Sequence, residues 1–195
     1  MSGSPVPSRD TTLGILAGGQ AMRLGGLDKA WLRRDGQPQV LRIAARLRPQ
    51  VAAVIVSANR HRERYASEGL ASVCDRQSGI GPLAGLDALA HACTTTWLLT
   101  LPVDLVDAND CLLSSLLAAG GQGAYAEDDE GPQPLVALWR VAPLRCALHT
   151  ALASGDHAVH ALQRRIGIVP VRLRGVRFGN LNTPEDLRIA GIGPE

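Results

Sequence analysis

The sequence has few aromatic residues and almost no lysine. Aromatic side chains make up 3% of its 195 residues, whereas hydrophobic residues make up 46%. The core of a domain of this size must therefore consist mostly of leucine, valine, isoleucine and alanine. All of the 20 basic residues except Lys29 are arginine, so this one position keeps an ammonium where the others carry a guanidinium.

The sequence also lacks a charge excess, paired cysteines and long apolar runs. Its net charge of +2 does not indicate a nucleic-acid-binding surface. The four cysteines form no C-x-x-C pair, which argues against a thiol-rich metal site and predicts small, buried, reduced residues. No run approaches the roughly 20 apolar residues that span a bilayer, and the N-terminus resembles no signal peptide. We expect a cytoplasmic protein without nucleic-acid or membrane partners, either a monomer or a weak oligomer.

Strand and helix patterns alternate through the first part of the chain. Short apolar runs predict buried strands at 12–17, 51–58, 71–75 and 94–104, with helical segments between them. This alternation predicts an α/β fold with a mostly parallel sheet, in which ligands bind beyond the carboxyl ends of the strands. Small residues and prolines predict a disordered tail over residues 1–10, followed by a single domain over residues 11–195.

The later part of the chain predicts a strand pair and three helices. Residues 123–129 and 134–140 are expected to form strands joined by an acidic turn. Two helical segments follow, and the chain ends in a helix that Thr183 would cap, with Pro184 as its first residue. Asp186 would complete a capping box there.

A glycine-rich segment, LAGGQAMRLGGLDKA, follows the first predicted strand. Its glycines are Gly18, Gly19, Gly25 and Gly26. Such residues let main-chain N–H groups approach and surround phosphate oxygens. Arg23 and Lys29 add positive charge, and an ammonium offers phosphate a compact point charge. The spacing fits neither a P-loop nor G-x-G-x-x-G, so these residues alone leave a phosphate-binding loop and an ordinary flexible turn both open.

Asp104 is the second candidate for chemistry. It follows the apolar run LLTLPV, which places a carboxylate at the carboxyl end of a predicted strand. A carboxylate there is suited to hold Mg²⁺ beside a polyphosphate. The alternative is a solvated turn residue.

Taken in order, these motifs resemble the molybdenum cofactor guanylyltransferases, which are MobA-like nucleotidyltransferases. The resemblance continues through SANRH (57–61), CD (74–75), GPLAG (81–85), LPVD (101–104), QPLVAL (133–138) and NLNTPEDL (180–187). It covers nearly the whole chain. It implies a Rossmann-like three-layer α/β/α nucleotidyltransferase fold with a mostly parallel sheet.

The resemblance also implies a reaction and a set of site residues. Family members transfer GMP from GTP to the terminal phosphate of molybdopterin or Mo-molybdopterin, release pyrophosphate and require Mg²⁺. The implied nucleotide-binding residues are Leu16, Ala17, Gly18, Gly19, Lys29, Ser57, Asn59, Asp75 and Asp104. The implied catalytic residues are Lys29, Asp104 and Arg23, with Asp104 also the metal ligand. The implied acceptor-binding residues are Gly81, Pro82, Asn180 and Asn182. Proteins that deliver or receive the molybdenum cofactor are implied partners, and LAGG favours guanine over pyrimidine nucleotides.

The sequence departs from the family pattern at three places. Ser57 stands where the guanylyltransferases often have asparagine, Gln133 stands where some have histidine, and an arginine is missing near His157. These departures bear mainly on the choice of acceptor. A cytidylyltransferase, a sugar-nucleotide enzyme of the same fold and a non-catalytic molybdenum-cofactor-binding homologue remain alternatives.

Three further features are weaker candidates. His157 and His160 are three residues apart on a predicted helix and could share a metal, but no third ligand is nearby in sequence. The run EDDEG (127–131) fits a charged hairpin tip better than a cation site. The arginine-rich segment RRIGIVPVRLRGVR (164–177) is expected to be a solvated face, and an anionic acceptor or a partner protein is the alternative.

Overall fold

The computed structural model describes residues 8–18, 28–77 and 79–193. The strands are β1 (Ser8–Leu16), β2 (Arg33–Arg34), β3 (Gln37–Pro38), β4 (Val51–Ser57), β5 (Ala71–Val73), β6 (Trp97–Pro102), β7 (Gly123–Asp128), β8 (Gly131–Arg140), β9 (Val169–Arg172) and β10 (Ile192–Gly193). The helices are α1 (Gln39–Leu47), α2 (Arg62–Ser67), α3 (Pro82–Ala92), α4 (Leu112–Ala118), α5 (Val141–Ser154), α6 (Val159–Ile166) and α7 (Pro184–Ile189). Two 3₁₀ turns cover Lys29–Trp31 and Arg48–Gln50. No helix in these ranges has the length and apolar character needed to cross a membrane.

Within the described residues, seven strands form one sheet in the order β5-β4-β1-β6-β8-β7-β9. β1 pairs in parallel with β4 and β6, β4 with β5, and β7 with β9, whereas β8 is antiparallel to both of its neighbours. The expected mostly parallel sheet is therefore confirmed. From β1 the chain adds β4 and then β5 on one side, and it next adds β6 on the other side of β1. This strand reversal is where α/β sheets bind ligands, beyond the carboxyl ends of the strands.

Alternating side chains bury the two faces of the sheet under different helices. On one face, Leu99 and Leu101 of β6 belong to the core that packs α1 and α4. On the other face, Leu98 and Trp139 belong to the core that packs α3, α5 and α6. These are three layers, as expected, because successive residues of a strand point to opposite faces. Both cores consist mainly of aliphatic residues, as the composition predicts.

A small second sheet lies beside the main one. β10 pairs with β2 and β2 pairs with β3, all antiparallel. Under it, Leu32, Leu181, Leu187 and Ile192 form a separate buried cluster. Helix α7 and β10 thereby pack against Leu32, in the segment that follows Lys29.

Two expectations need correction. β1 begins at Ser8, so residues 8–10 belong to a strand rather than to the predicted tail. Residues 1–7 lie outside the described ranges. The cysteines were expected to be buried, but Cys74, Cys111 and Cys146 are exposed and Cys93 alone of the four is buried. Cys111 is the residue before α4, and Cys146 is one of the residues of α5 that the core does not bury.

Candidate active site

Several of the predicted site residues lie at the carboxyl end of β1. Leu16 is paired with Ser57 of β4 and with Pro102 of β6. Beyond the strand, the Ala17 N–H donates to the Ser57 carbonyl (3.0 Å), and the Val103 N–H donates to the Leu16 carbonyl (3.0 Å). The chain leaving β1 therefore has one polar cluster on its β4 side and another on its β6 side.

The cluster on the β4 side centres on the carboxylate of Asp75. Asn59 Nδ2 donates to Asp75 Oδ2 (2.7 Å), and the Asp75 N–H donates back to Asn59 Oδ1 (2.9 Å). The buried Ser57 hydroxyl donates to Asp75 Oδ1 (3.2 Å). Gly18 lies over this group, because a Cβ built on it would stand 3.6–3.8 Å from all three side chains. Four of the predicted nucleotide-binding residues are therefore together.

The cluster on the β6 side joins Lys29, Asp104 and Asn182. Lys29 begins the 3₁₀ turn that Asp28 caps, and its Nζ donates to Asp104 Oδ2 (3.2 Å) and to Asn182 Oδ1 (2.9 Å). The Lys29 and Asp104 side chains are 19% and 24% exposed. The ammonium is thus held at the surface by two oxygens that come from distant parts of the sequence.

The segment before α7 is fixed against the end of β6. The Leu181 N–H donates to the Asp104 carbonyl (2.9 Å), and Asn180 forms an isolated bridge with Leu105. The predicted capping box of Thr183 and Asp186 is present. Hydrogen bonds from the Asn182 N–H and from Thr183 lower the pKa of Asp186, and the positive charge of Lys29 contributes. Asn182 was expected on the acceptor side, and here its side chain contacts Lys29.

The remaining predicted residues lie around these clusters or outside the described ranges. Gly81 and Pro82 are exposed at the start of α3. Gly19 and Arg23 lie outside the described residues, as do Gly25 and Gly26.

Asp104 is suited to a divalent cation that also contacts phosphates. Its carboxylate is partly exposed at a strand end, and Mg²⁺ in phosphate-transfer sites typically has one or two carboxylates plus phosphate and water oxygens. Within the described residues, no group of three His, Cys, Asp or Glu side chains could hold a metal ion. His157 and His160 are both exposed there.

The acidic run EDDEG (127–131) forms the tip of the β7–β8 hairpin, as predicted. One of its carboxylates is buried. Asp128 is 0% exposed at the end of β7, and its carboxylate accepts hydrogen bonds from the Glu130 and Gly131 N–H groups and from the Phe178 N–H. In the arginine-rich segment, Arg172 pairs with Asp129 (3.6 Å) while Arg174 and Arg177 are exposed.

Sequence reasoning missed two residues that shape the site. Gly85 of α3 lies against Ser57, because a Cβ there would stand 2.8 Å from the Ser57 hydroxyl and 2.9 Å from Leu16 Cδ2. The glycine within GPLAG signals such a close approach. Gln39 is buried beside Leu105, and no local pattern distinguishes it from a surface glutamine.

Residues 13–169 match the family model described as the MobA-like NTP transferase domain. A protein of Shewanella putrefaciens named molybdenum cofactor guanylyltransferase is 36% identical over 179 residues, covering 88% of this chain and 91% of that protein. A protein of the same name from Yersinia pestis is 34% identical over 177 residues, covering 88% and 90%.

Solved structures share the fold. Molybdopterin-guanine dinucleotide biosynthesis protein A of Archaeoglobus fulgidus superposes with a TM-score of 0.72 at 22% identity, over 92% of this chain and 96% of that one. A 2-C-methyl-D-erythritol 4-phosphate cytidylyltransferase of Thermus thermophilus gives 0.67 at 17%, over 91% and 96%. Both superpositions extend over nearly the whole chain and show the shared α/β fold. From the matched domain and the identity to its relatives, the chain belongs to the MobA-like NTP transferase family.

Proposed function

We propose that this protein is a molybdenum cofactor guanylyltransferase, which transfers GMP from GTP to the terminal phosphate of molybdopterin or its molybdenum form. The observation that carries the proposal is the ion pair between Lys29 and Asp104 at the strand reversal. It is supported by relatives that are named molybdenum cofactor guanylyltransferase and match this chain over most of their length. The family uses a divalent metal as a rule, and we assign Mg²⁺ to this chain.

The nucleoside is assigned to the β4 side of the site. The Asp75 carboxylate has its orientation fixed by Asn59 and Ser57, and a fixed carboxylate can accept hydrogen bonds from a base or a ribose. Gly18 lies over this group without a side chain, so a ligand can approach its main chain closely. The main chain after β1 would then continue toward the phosphates.

The phosphates are assigned to the β6 side. An acceptor phosphate oxygen attacks the α-phosphorus, the bond to the β-phosphate oxygen breaks, and pyrophosphate leaves. Negative charge grows on the leaving group, and the Lys29 ammonium would stabilise it. Asp104 would hold Mg²⁺, which supplies Lewis-acid stabilisation of phosphate oxygens. Asn180 and the exposed Gly81 and Pro82 are assigned to the acceptor side.

Pyrophosphate release from each of the four nucleoside triphosphates tests the proposal. With molybdopterin and Mg²⁺ present, we expect release from GTP to exceed release from CTP, ATP and UTP, and the product to be the guanine dinucleotide of the pterin. The Asp104→Asn variant is the control for contaminating enzymes and should lose about 10²–10³ in rate.

Each other outcome points to a named alternative. Preference for CTP would indicate a cytidylyltransferase, and release with a sugar phosphate as acceptor would indicate a sugar-nucleotide enzyme. Tight molybdopterin binding without turnover of any triphosphate would indicate a non-catalytic carrier.

A further inference from the structure

A buried glutamine connects the two segments that carry Lys29 and Asp104. Gln39 is the first residue of α1 and is 0% exposed. Its main-chain N–H donates to the carbonyl of Leu32 (2.9 Å), which directly follows the 3₁₀ turn containing Lys29. Its side-chain Nε2 donates to the carbonyl of Leu105, the residue after Asp104. One residue therefore fixes both segments to the same helix end.

The orientation of the Gln39 amide is also fixed. Its Oε1 accepts a hydrogen bond from Arg42 Nη1 (3.1 Å), and a guanidinium can only donate. The Nε2 end must therefore face Leu105. Arg42 is itself directed toward the same connection, since its Nη2 lies 3.9 Å from Asp107 Oδ1.

The Leu105 carbonyl lies in a buried segment directly after Asp104. Leu105 is 1% exposed and bridges to Asn180, while the preceding carbonyl, that of Asp104, accepts from the Leu181 N–H. The chain just past Asp104 is thus held by the C-terminal segment and by Gln39. Without the Gln39 donor, a buried carbonyl would have to move toward another partner, and the Asp104 carboxylate would move with it.

We propose that Gln39 is a positioning residue that keeps the Asp104 carboxylate aligned with the Lys29 ammonium for cation and phosphate binding. This inference rests on the proposed guanylyltransfer. Residues that orient a metal ligand typically change metal affinity or activity 10–100-fold when lost, and we expect a change of about this size. Asn59 and Asp75 follow β4 and β5, and the side-chain hydrogen bonds of this cluster join Ser57, Asn59 and Asp75 to one another, so the affinity for the nucleoside should change little.

Two substitutions at Gln39 and one matched control test the role. Gln39→Glu keeps the size and the hydrogen bond from Arg42 but loses the donor to Leu105, and Gln39→Met removes both. Gln163→Met is the control, since Gln163 is 5% exposed in α6 and donates to the Pro134 carbonyl (3.0 Å) rather than to the segments that carry Lys29 and Asp104. All three remove a buried amide that donates to a main-chain carbonyl.

Two readouts separate positioning from stability. The first is Mn²⁺ binding, followed by electron paramagnetic resonance with guanosine 5′-[α,β-methylene]triphosphate, which does not turn over. The second is the Mg²⁺ concentration for half-maximal pyrophosphate release, measured with the KM for GTP at saturating Mg²⁺. We expect both Gln39 variants to need about 10–100-fold higher Mn²⁺ and Mg²⁺ concentrations in these two measurements, with a nearly unchanged KM for GTP. Gln163→Met should match the wild type in both readouts.

The outcomes distinguish this inference from the proposed function. Unchanged cation binding in the Gln39 variants, or an equal loss in Gln163→Met, would overturn the positioning role. If the wild type binds Mn²⁺ with the analogue but does not turn over GTP, guanylyltransfer is overturned. The positioning role of Gln39 is then decided by Mn²⁺ binding alone. If Gln39→Met does not fold, Gln39→Glu decides.

Discussion

The ammonium of Lys29 has a geometry that a guanidinium cannot reproduce. Its nitrogen stands 3.2 Å from an Asp104 oxygen and 2.9 Å from an Asn182 oxygen. An ammonium donates in three directions from a single atom, so two of its bonds are used here and a third remains for a phosphate. A guanidinium spreads its donors over a planar fork and would displace one of the two oxygens. This accounts for a lysine in a chain whose other basic residues are all arginine.

Replacing Lys29 should therefore impair turnover even when the charge is kept. We expect Lys29→Ala to lower the rate of pyrophosphate release by about 10²–10³, and Lys29→Arg to recover little of it. The control is Arg188→Lys, which changes an exposed basic residue paired with Glu185 and should keep the wild-type rate. Steady-state kinetics with GTP measure both, and a Lys29→Arg enzyme close to wild type would contradict the geometric explanation.

The Lys29 ammonium should also compete with a divalent cation for the Asp104 carboxylate. In the structure, the ammonium neutralises the carboxylate that is assigned to the metal. A partly exposed pair contributes about 1 kcal/mol at most, so Lys29→Ala should bind Mn²⁺ about fivefold more tightly in the absence of nucleotide. Asp104→Asn should lose that binding. Electron paramagnetic resonance of the nucleotide-free proteins measures both, and weaker Mn²⁺ binding by Lys29→Ala would refute the competition.

At the scale of elements, helix α3 approaches the sheet closely because glycines face it. Gly85 contacts Ser57 and Leu16, and Gly14 of β1 faces Leu89 of α3, with a built Cβ 2.9 Å from Leu89 Cδ1. Both positions would be overpacked by a methyl group. They differ in what they touch, since Gly85 alone of the two contacts a residue of the nucleotide cluster.

A pair of substitutions uses this difference. Gly→Ala in a helix ordinarily stabilises by about 0.5–1 kcal/mol, whereas overpacking costs about 1–3 kcal/mol. We expect Gly85→Ala and Gly14→Ala both to lower the free energy of unfolding in urea. Gly85→Ala should in addition raise the KM for GTP because Ser57 is displaced. An equal KM for GTP in the two variants would show that the close approach of Gly85 to Ser57 does not affect nucleotide binding.

The capped end of α7 connects that helix to Lys29. Asp186 Oδ2 accepts from the Asn182 N–H (2.9 Å) and the Thr183 N–H (2.8 Å). We expect Asp186→Ala to loosen Asn182 and so lower turnover, along with a lower urea midpoint. Glu185→Ala is the matched control, because Glu185 is in the same turn and pairs with Arg188. Equal kinetics in the two variants would mean that the cap does not act through Asn182.

Over the whole molecule, local patterns predicted the main sheet and its helices but not the contacts made across long sequence separations. The apolar runs and the capping box of Thr183 are local signals, and both were interpreted correctly. The small sheet of β2, β3 and β10 has strands of two residues, too short for any periodicity. Lys29 and Asn182 are 153 residues apart in the sequence. Family motifs indicated both residues, but only the fold shows that they touch.

The carboxylate of Asp128 joins the β7–β8 hairpin to the segment that leads into Asn180. Burial by itself raises the pKa of Asp128, but hydrogen bonds from the N–H groups of Phe178 and Glu130, and further bonds within the hairpin, outweigh it and lower the pKa. A carboxyl whose pKa is lower in the folded state stabilises the protein above its unfolded pKa of about 3.9, and this stability is lost as pH falls through the folded pKa.

Protonation of Asp128 in acid should therefore weaken the fold. We expect Asp128→Asn to be less stable than the wild type by about 1–2 kcal/mol at pH 7, since charged acceptors form stronger hydrogen bonds than neutral ones. The difference in melting temperature should shrink between about pH 5 and pH 2, as the wild-type carboxyl takes up its proton. Asp156→Asn is the control, because that carboxylate accepts a weaker bond from the Ala158 N–H (3.3 Å). Thermal unfolding followed by circular dichroism across this range measures the difference, and a gap that stays constant or widens toward low pH would contradict the assignment.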